Sequence, residues 1–140
     1  MYTRGNYNST TGALLSLLEF EKYSDMAIIE MGANKPGEIE YICNVIQPNM
    51  GLITNIGETH LEHFLSKDDI AKTKSVLFTV LPPDGKAFIN LDDPYISNME
   101  IPCQKIEFSF NSKANYQGKC NSDEKDTIIT INNETINLTG

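Results

Sequence analysis

The fold is decided by two apolar stretches that end on polar residues, Ala27-Ile28-Ile29-Glu30-Met31-Gly32-Ala33-Asn34 and Gly51-Leu52-Ile53-Thr54-Asn55-Ile56-Gly57-Glu58-Thr59-His60. Short apolar runs that stop at glycine are typical of buried strands. Ligands of an open α/β sheet bind outside the carboxyl ends of its strands. We therefore expect Glu30 and His60 to lie at one functional edge of a sheet.

Helical patterns alternate with these strands. Helices are predicted over residues 11–23, from Glu38 onward with Ile39, Ile42, Cys43 and Ile46 on one face, and over 67–81 after a capping box at Ser66. Strands are predicted over 26–31, 50–54 and 86–90, and a short helix begins at Asp92-Asp93-Pro94. This alternation predicts an α/β fold with a mostly parallel sheet flanked by helices.

The sequence pattern changes after Cys103, from alternating helices and strands to short strands. Residues 105–110, 127–132 and 135–138 are predicted as short strands, and Asn132-Asn133-Glu134 is a hairpin turn signal. Residues 111–126 are polar and predicted as an exposed loop with a short strand near Tyr116. We expect an antiparallel β tail that follows the α/β body within the same domain.

Composition excludes several functional classes. The 140 residues carry a net charge of −8, which argues against binding to a DNA or RNA backbone. No apolar run approaches the ~20 residues that would span a bilayer, so we expect no membrane insertion. The cysteines Cys43, Cys103 and Cys120 are widely spaced without a CxxC pair, which argues against a zinc site. Their odd number and the lack of a signal-peptide pattern favour reduced thiols and a cytoplasmic location.

Three side chains are candidates for a magnesium–phosphate site. Glu30 follows an apolar run, where a carboxylate either binds a metal or meets a helix end or a lysine, and we weigh these two alternatives evenly. His60 taken alone is more often a solvated loop residue than a metal ligand. Lys72 and Lys74 lie two positions apart on a predicted helix and so point to different faces, which leaves one of them able to reach the site. The alternative is that both are solvated, and we expect this for Lys72.

Two further polar segments have a functional and a plain interpretation. Residues 5–12 form a glycine-bounded loop that enters a helix, which is either an anion site or an ordinary cap made by Ser9, Thr10 or Thr11. Asn90-Leu91-Asp92-Asp93-Pro94 either touches a ribose or a metal, or forms a turn and a helix cap. The phosphate-loop pattern GxxxxGK[ST] occurs nowhere in the chain.

Several of these motifs occur in the order and spacing of one family. The runs 30–39, 54–62 and 70–74, together with Gly5-Asn6-Tyr7-Asn8 and 90–93, resemble the central, ATP-binding domain of the Mur ligases. The resemblance is dense over residues 3–99. It implies an ATP- and Mg²⁺-dependent ligase of peptidoglycan synthesis that joins two small molecules through an acyl phosphate. Glu30-Met31-Gly32-Ala33-Asn34 favours the member that adds D-alanyl-D-alanine to a UDP-muramoyl tripeptide.

The resemblance assigns roles to individual residues. It implies that Glu30, His60 and a carbamylated Lys74 hold magnesium, and that Lys74 and His60 are catalytic. Asn90 and Asp92 are implied in cofactor binding. The loop residues Asn8, Ser9 and Thr10 are implied in contact with the muramoyl substrate.

The resemblance also predicts what lies outside these 140 residues. We expect residues 1–140 to be part of the central domain, with the phosphate loop, a UDP-binding domain and an amine-binding domain absent from them, and we expect this stretch by itself to be inactive. Two alternatives stay open: another Mur-type or folate-linked ligase, or a degenerate, non-catalytic binding module without a phosphate loop.

Overall fold

The computed structural model describes residues 1–20, 24–57, 64–122, 126–132 and 134–139. A six-stranded sheet has the order β1-β2-β3-β4-β5-β6. The elements are α1 (Thr10–Leu18), α2 (Glu38–Ile46), β1 (Met50–Leu52), α3 (Lys67–Thr79), β2 (Lys86–Asn90), α4 (Pro94–Ser97), β3 (Gln104–Ser109), β4 (Tyr116–Ser122), β5 (Asp126–Ile131) and β6 (Glu134–Thr139).

Parallel and antiparallel pairing divide the sheet into two parts. Strands β1 to β4 pair in parallel, and β4 to β6 pair antiparallel. The α/β body and the antiparallel tail predicted from the sequence are both confirmed. Asn132, at the turn between β5 and β6, has a positive φ of 47°, a conformation that asparagine tolerates better than most residues.

The core lies where α3 and α4 pack on the parallel strands. Its buried residues are Ile53, Ile56, Phe64, Ile70, Ala71, Phe78, Leu81, Ala87, Ile89 and Ile96. Helix α3 begins at the predicted cap, because the Asp69 amide donates to Ser66 Oγ at 3.2 Å. Helix α4 begins after Asp93, whose side chain accepts from two amides of the first turn.

Helix α2 also forms as predicted and buries Ile39, Ile42 and Cys43. The Glu38 carboxylate accepts from the amides of Asn34 and Lys35, at 2.7 and 3.0 Å, and so orders the entry loop. Burial raises the pKa of the Cys43 thiol to about 11, so this thiol stays protonated at neutral pH.

The predicted strand over residues 26–31 is wrong. Within the described residues this segment has a single isolated parallel bridge, between Tyr2 and Ile28. Ile28 is 60% exposed and Met26 is 54% exposed, so the run is not buried. An apolar run becomes a buried strand only when neighbours cover both its edges and its faces. Among the described residues, the backbone neighbour of this run is the segment 1–3, which covers one edge.

Smaller corrections concern the ends of elements. Helix α1 ends at Leu18 rather than near residue 23, and residues 21–23 lie outside the described part of the chain. Strand β1 ends at Leu52 rather than at Thr54. In the polar segment predicted mainly as a loop, β4 is a seven-residue strand, because it gains partners from both β3 and β5. No described helix is long and apolar enough to cross a bilayer.

Candidate functional site

Glu30 is exposed at the end of the segment that pairs with the N-terminal residues. Its amide donates to Thr3 Oγ1 at 2.9 Å. Its carboxylate oxygen Oε1 accepts from Asn8 Nδ2 at 2.7 Å. Solvent reaches this side chain, so burial does not require the carboxylate to bind a metal ion, a helix end or a lysine.

The loop before α1 lies against the same segment. The Gly32 amide donates to the Asn8 carbonyl at 2.6 Å. A Cβ on Gly32 would lie 3.2 Å from that carbonyl oxygen, so the close approach favours glycine. Ser9 makes the helix cap, since its hydroxyl accepts from the Gly12 amide at 3.2 Å. The Thr10 hydroxyl is buried without a partner among the described residues.

Lys74 is half-buried on α3, and its Nζ donates to the Asn55 carbonyl at 3.2 Å. Burial lowers the pKa of Lys74 from its usual value, and the negative charge of Asp93 acts in the opposite direction. Lys72 is exposed, which confirms that the two lysines point to different faces of the helix. Lys74 is therefore the one that faces the ends of β1 and β2.

Three side chains hold the backbone that follows β1. Asn90 Nδ2 donates to the Thr54 carbonyl at 2.7 Å, and Lys74 donates to the next carbonyl along the chain. The Ile56 amide donates to Asp93 Oδ2 at 2.8 Å. Residues 54–56 are thereby fixed beside the middle of α3 and the end of β2.

Asp92 connects the end of β2 with the end of β3. Its carboxylate accepts from Ser109 Oγ at 2.6 Å and from the Phe110 amide at 2.7 Å, and its own amide donates to Asn90 Oδ1 at 2.9 Å. The Ser109 hydrogen bond and then the Phe110 amide hold the pKa of Asp92 below its usual range. The 90–93 segment thus has the turn-and-cap geometry, and the cofactor role of Asn90 and Asp92 stays a prediction.

The structure brings together only some of the predicted residues. Glu30 meets Asn8, and Lys74 lies with Asn90 near the end of β1. His60 lies outside the described residues, so its place as a metal ligand stays a prediction. In the part of the chain that is described, no three His, Cys, Asp or Glu side chains form a group that could hold a metal ion.

Sequence reasoning missed two roles that depend on distant contacts. Thr3 supports Glu30 from 27 positions away, and Asp93 holds Ile56 from 37 positions away. The Asp-Pro pair gave a signal for the helix cap at Asp93. No local pattern indicates the second bond that the same carboxylate makes.

The fold and the polar groups at the ends of its strands match one family. The model of the Mur ligase middle domain matches residues 1–139, and the chain belongs to this family. Among curated proteins, it is 40% identical over 110 residues to the UDP-N-acetylmuramoyl-tripeptide–D-alanyl-D-alanine ligase of Buchnera aphidicola, covering 79% of this chain and 24% of the relative. It is 31% identical over 130 residues to the ligase of the same name from Bacillus subtilis, covering 92% and 28%.

Solved structures agree over nearly the whole chain. MurF from Acinetobacter baumannii superposes with a TM-score of 0.83 at 27% identity, covering 99% of this chain and 31% of that one. The MurF ligase of Thermotoga maritima in complex with ADP gives a TM-score of 0.80 at 26% identity, covering 99% and 33%. The chain therefore spans about a quarter to a third of the length of these relatives.

Proposed function

We propose that this chain forms part of the central domain of an ATP-dependent ligase that adds D-alanyl-D-alanine to UDP-N-acetylmuramoyl-tripeptide in peptidoglycan synthesis. The reaction would pass through an acyl phosphate of the tripeptide. The observation that carries the proposal is the similarity to ligases of this name, at 31–40% identity. The ADP complex of a structural neighbour supports a nucleotide as co-substrate.

Magnesium fits the donor set that the proposal requires. Glu30 is exposed and supplies hard oxygen ligands, of which only Oε1 has a hydrogen-bond partner among the described residues. A carbamylated Lys74 would add oxygen ligands in place of a cation, and His60 would add an imidazole. A bound metal ion would offset the repulsion between the attacking carboxylate and the γ-phosphate.

The remaining roles belong to polar side chains at the N-terminus of α1 and at the end of β2. Asn8, Ser9 and Thr10 would contact the muramoyl substrate, since they lie at the N-terminus of α1 and Asn8 contacts Glu30. Asn90 and Asp92 would lie at the nucleotide, at the end of β2. The free cysteines Cys43, Cys103 and Cys120 are consistent with the cytoplasmic location that we propose.

The proposal is tested in a chimera, because the chain spans only part of its relatives. Residues 1–139 replace the matching segment of the Acinetobacter baumannii protein, and phosphate release from ATP is measured with the UDP-muramoyl tripeptide, with and without D-alanyl-D-alanine. We expect release that depends on D-alanyl-D-alanine. Glu30→Ala and Lys74→Ala should lower it by about 100-fold or more, and Lys72→Ala on the exposed face of α3 should leave it unchanged.

Any other result of the chimera assay would contradict the proposal and favour one of the alternative functions. A chimera that unfolds at the temperature of its parent but releases no phosphate would favour a degenerate binding module. Release that depends on another amine would favour another Mur-type or folate-linked ligase. The 140-residue chain is assayed separately for phosphate release that depends on D-alanyl-D-alanine, with Glu30→Ala alongside, and we expect no ligase turnover from it.

A further inference from the structure

Asn8 binds the segment around Glu30 with both its side chain and its main chain. Its Nδ2 donates to Glu30 Oε1 at 2.7 Å, and its carbonyl accepts from the Gly32 amide at 2.6 Å. The two contacts lie two residues apart on the same segment. They connect the loop before α1 with the carboxylate that the proposed function assigns to the metal.

The geometry fixes which atom of Asn8 faces the carboxylate. An ionised carboxylate only accepts hydrogen bonds, so the amide nitrogen of Asn8 must point to Glu30. The main-chain bond to Gly32 anchors the backbone of Asn8, and a Cβ on Gly32 would lie 3.4 Å from Asn8 Cγ. Asn8 is therefore packed closely against the 30–32 segment and is held from two sides.

The orientation of the Glu30 carboxylate depends on these contacts, because the side chain is not fixed by burial. The side chain is exposed, and an exposed glutamate samples several rotamers unless a partner selects one. Thr3 Oγ1 accepts from the Glu30 amide and fixes the backbone at this position. Among the described residues, Asn8 is the partner that holds the carboxylate itself.

We propose that Asn8 is a positioning residue that orients the Glu30 carboxylate for a divalent metal ion, an inference that rests on the metal role of Glu30 in the proposed function. Side chains that hydrogen-bond a metal ligand orient it, and their loss costs about 10–100-fold in metal affinity. One N–H of Asn8 Nδ2 is committed to Glu30, which leaves the second N–H and Oδ1 available to a substrate.

The test measures Mn²⁺ binding to the 140-residue chain from the electron paramagnetic resonance signal of the free ion. We expect Glu30→Gln to abolish the binding and Asn8→Ala to weaken it by about tenfold. Asn6→Ala changes an exposed loop asparagine and should leave the affinity unchanged. Ile42→Val on the buried face of α2 lowers stability without touching this cluster, and it should also leave the affinity unchanged.

The outcomes separate this inference from the proposed function. If Glu30→Gln weakens binding and Asn8→Ala does not, the positioning role is wrong while the metal role stands. If Mn²⁺ does not bind, or Glu30→Gln has no effect, the metal role of Glu30 is wrong, and orientation for a metal is overturned with it. The hydrogen bond is checked independently by the Tm values of both single variants and the double variant. If the Tm shifts of the two single variants add up in the double variant, the two side chains do not interact and the inference is overturned. If the double variant is no less stable than the less stable of the two single variants, the side chains interact and the inference is supported.

Discussion

Replacing Asp93 with alanine should destabilise the chain more than any loss of a surface charge would. One oxygen of the Asp93 carboxylate, Oδ1, accepts from the Tyr95 and Ile96 amides at 2.9 and 3.1 Å and so caps α4. The other oxygen accepts from the Ile56 amide at 2.8 Å. Ile56 and Ile96 are both buried core residues, so this one carboxylate ties together two parts of the core.

The expected cost follows from these contacts. Loss of a helix cap costs about 1 kcal/mol. A buried amide left without its acceptor costs about 1–3 kcal/mol, and this applies to Ile56. Asp93→Ala should therefore lower the free energy of unfolding by about 2–4 kcal/mol. Asp93→Asn keeps an oxygen for the cap but turns an NH₂ group toward Ile56, so it should lose about 1–3 kcal/mol.

Urea unfolding followed by circular dichroism gives these differences, provided that the m-value stays constant. The matched control is Asp84→Ala, which removes an exposed aspartate in the turn before β2 and should change stability by less than about 0.5 kcal/mol. Hydrogen exchange at the Ile56 amide should become faster in both Asp93 variants. The reasoning is refuted if Asp93→Ala and Asp84→Ala are equally stable, or if the exchange at Ile56 does not change.

Two further substitutions test the packing at α1 and the charge at the end of β2. Gly12→Ala should cost about 1–3 kcal/mol in urea unfolding, since its Cβ would lie 2.7 Å from the Tyr7 carbonyl carbon and the backbone must shift. Asp92→Asn should be less stable than the parent at pH 7, and the difference should shrink as the pH falls below 3.8, the ordinary pKa of an aspartate. A carboxyl with a lowered folded-state pKa stabilises above its unfolded pKa, and this contribution is lost as the pH falls through the folded value.

Each of these substitutions has its own control. Gly57→Ala adds a Cβ whose nearest neighbour among the described residues is Asn55 Nδ2 at 3.4 Å, an ordinary contact, so it should change stability by less than about 0.5 kcal/mol. Equal losses for Gly12→Ala and Gly57→Ala would contradict the packing argument. For Asp92→Asn, a stability difference that stays constant between pH 7 and pH 3 would show that the charge of Asp92 contributes nothing.

The helices were predictable because their signals are local. Ser66 and Asp69 are three residues apart, and the bond between the Ser66 hydroxyl and the Asp69 amide is the one the sequence predicts. The apolar spacing of α2 likewise buries Ile39, Ile42 and Cys43. Contacts within one helical turn depend on neighbouring residues alone, so the sequence contains the information needed to predict them.

Strands were less predictable, since their partners are distant. The run 26–31 has the composition of a buried strand, but Met26 and Ile28 remain exposed because few described neighbours cover them. Strand β4 shows the opposite case: its polar sequence resembles a loop, and pairing with β3 and β5 makes it a strand. Strand formation depends on context more than helix formation does.

The sequence by itself determined the family, the order of helices and strands after residue 37 with the exception of β4, and the residue types available at the strand ends. It could do so because composition, periodicity and motif spacing are properties of the linear chain. Only the tertiary structure decided that Asn8 holds Glu30 and that Asp93 holds Ile56, since these partners are 22 and 37 positions apart. Contacts of this kind exist only when the packing of the core brings distant loops together at hydrogen-bond distance.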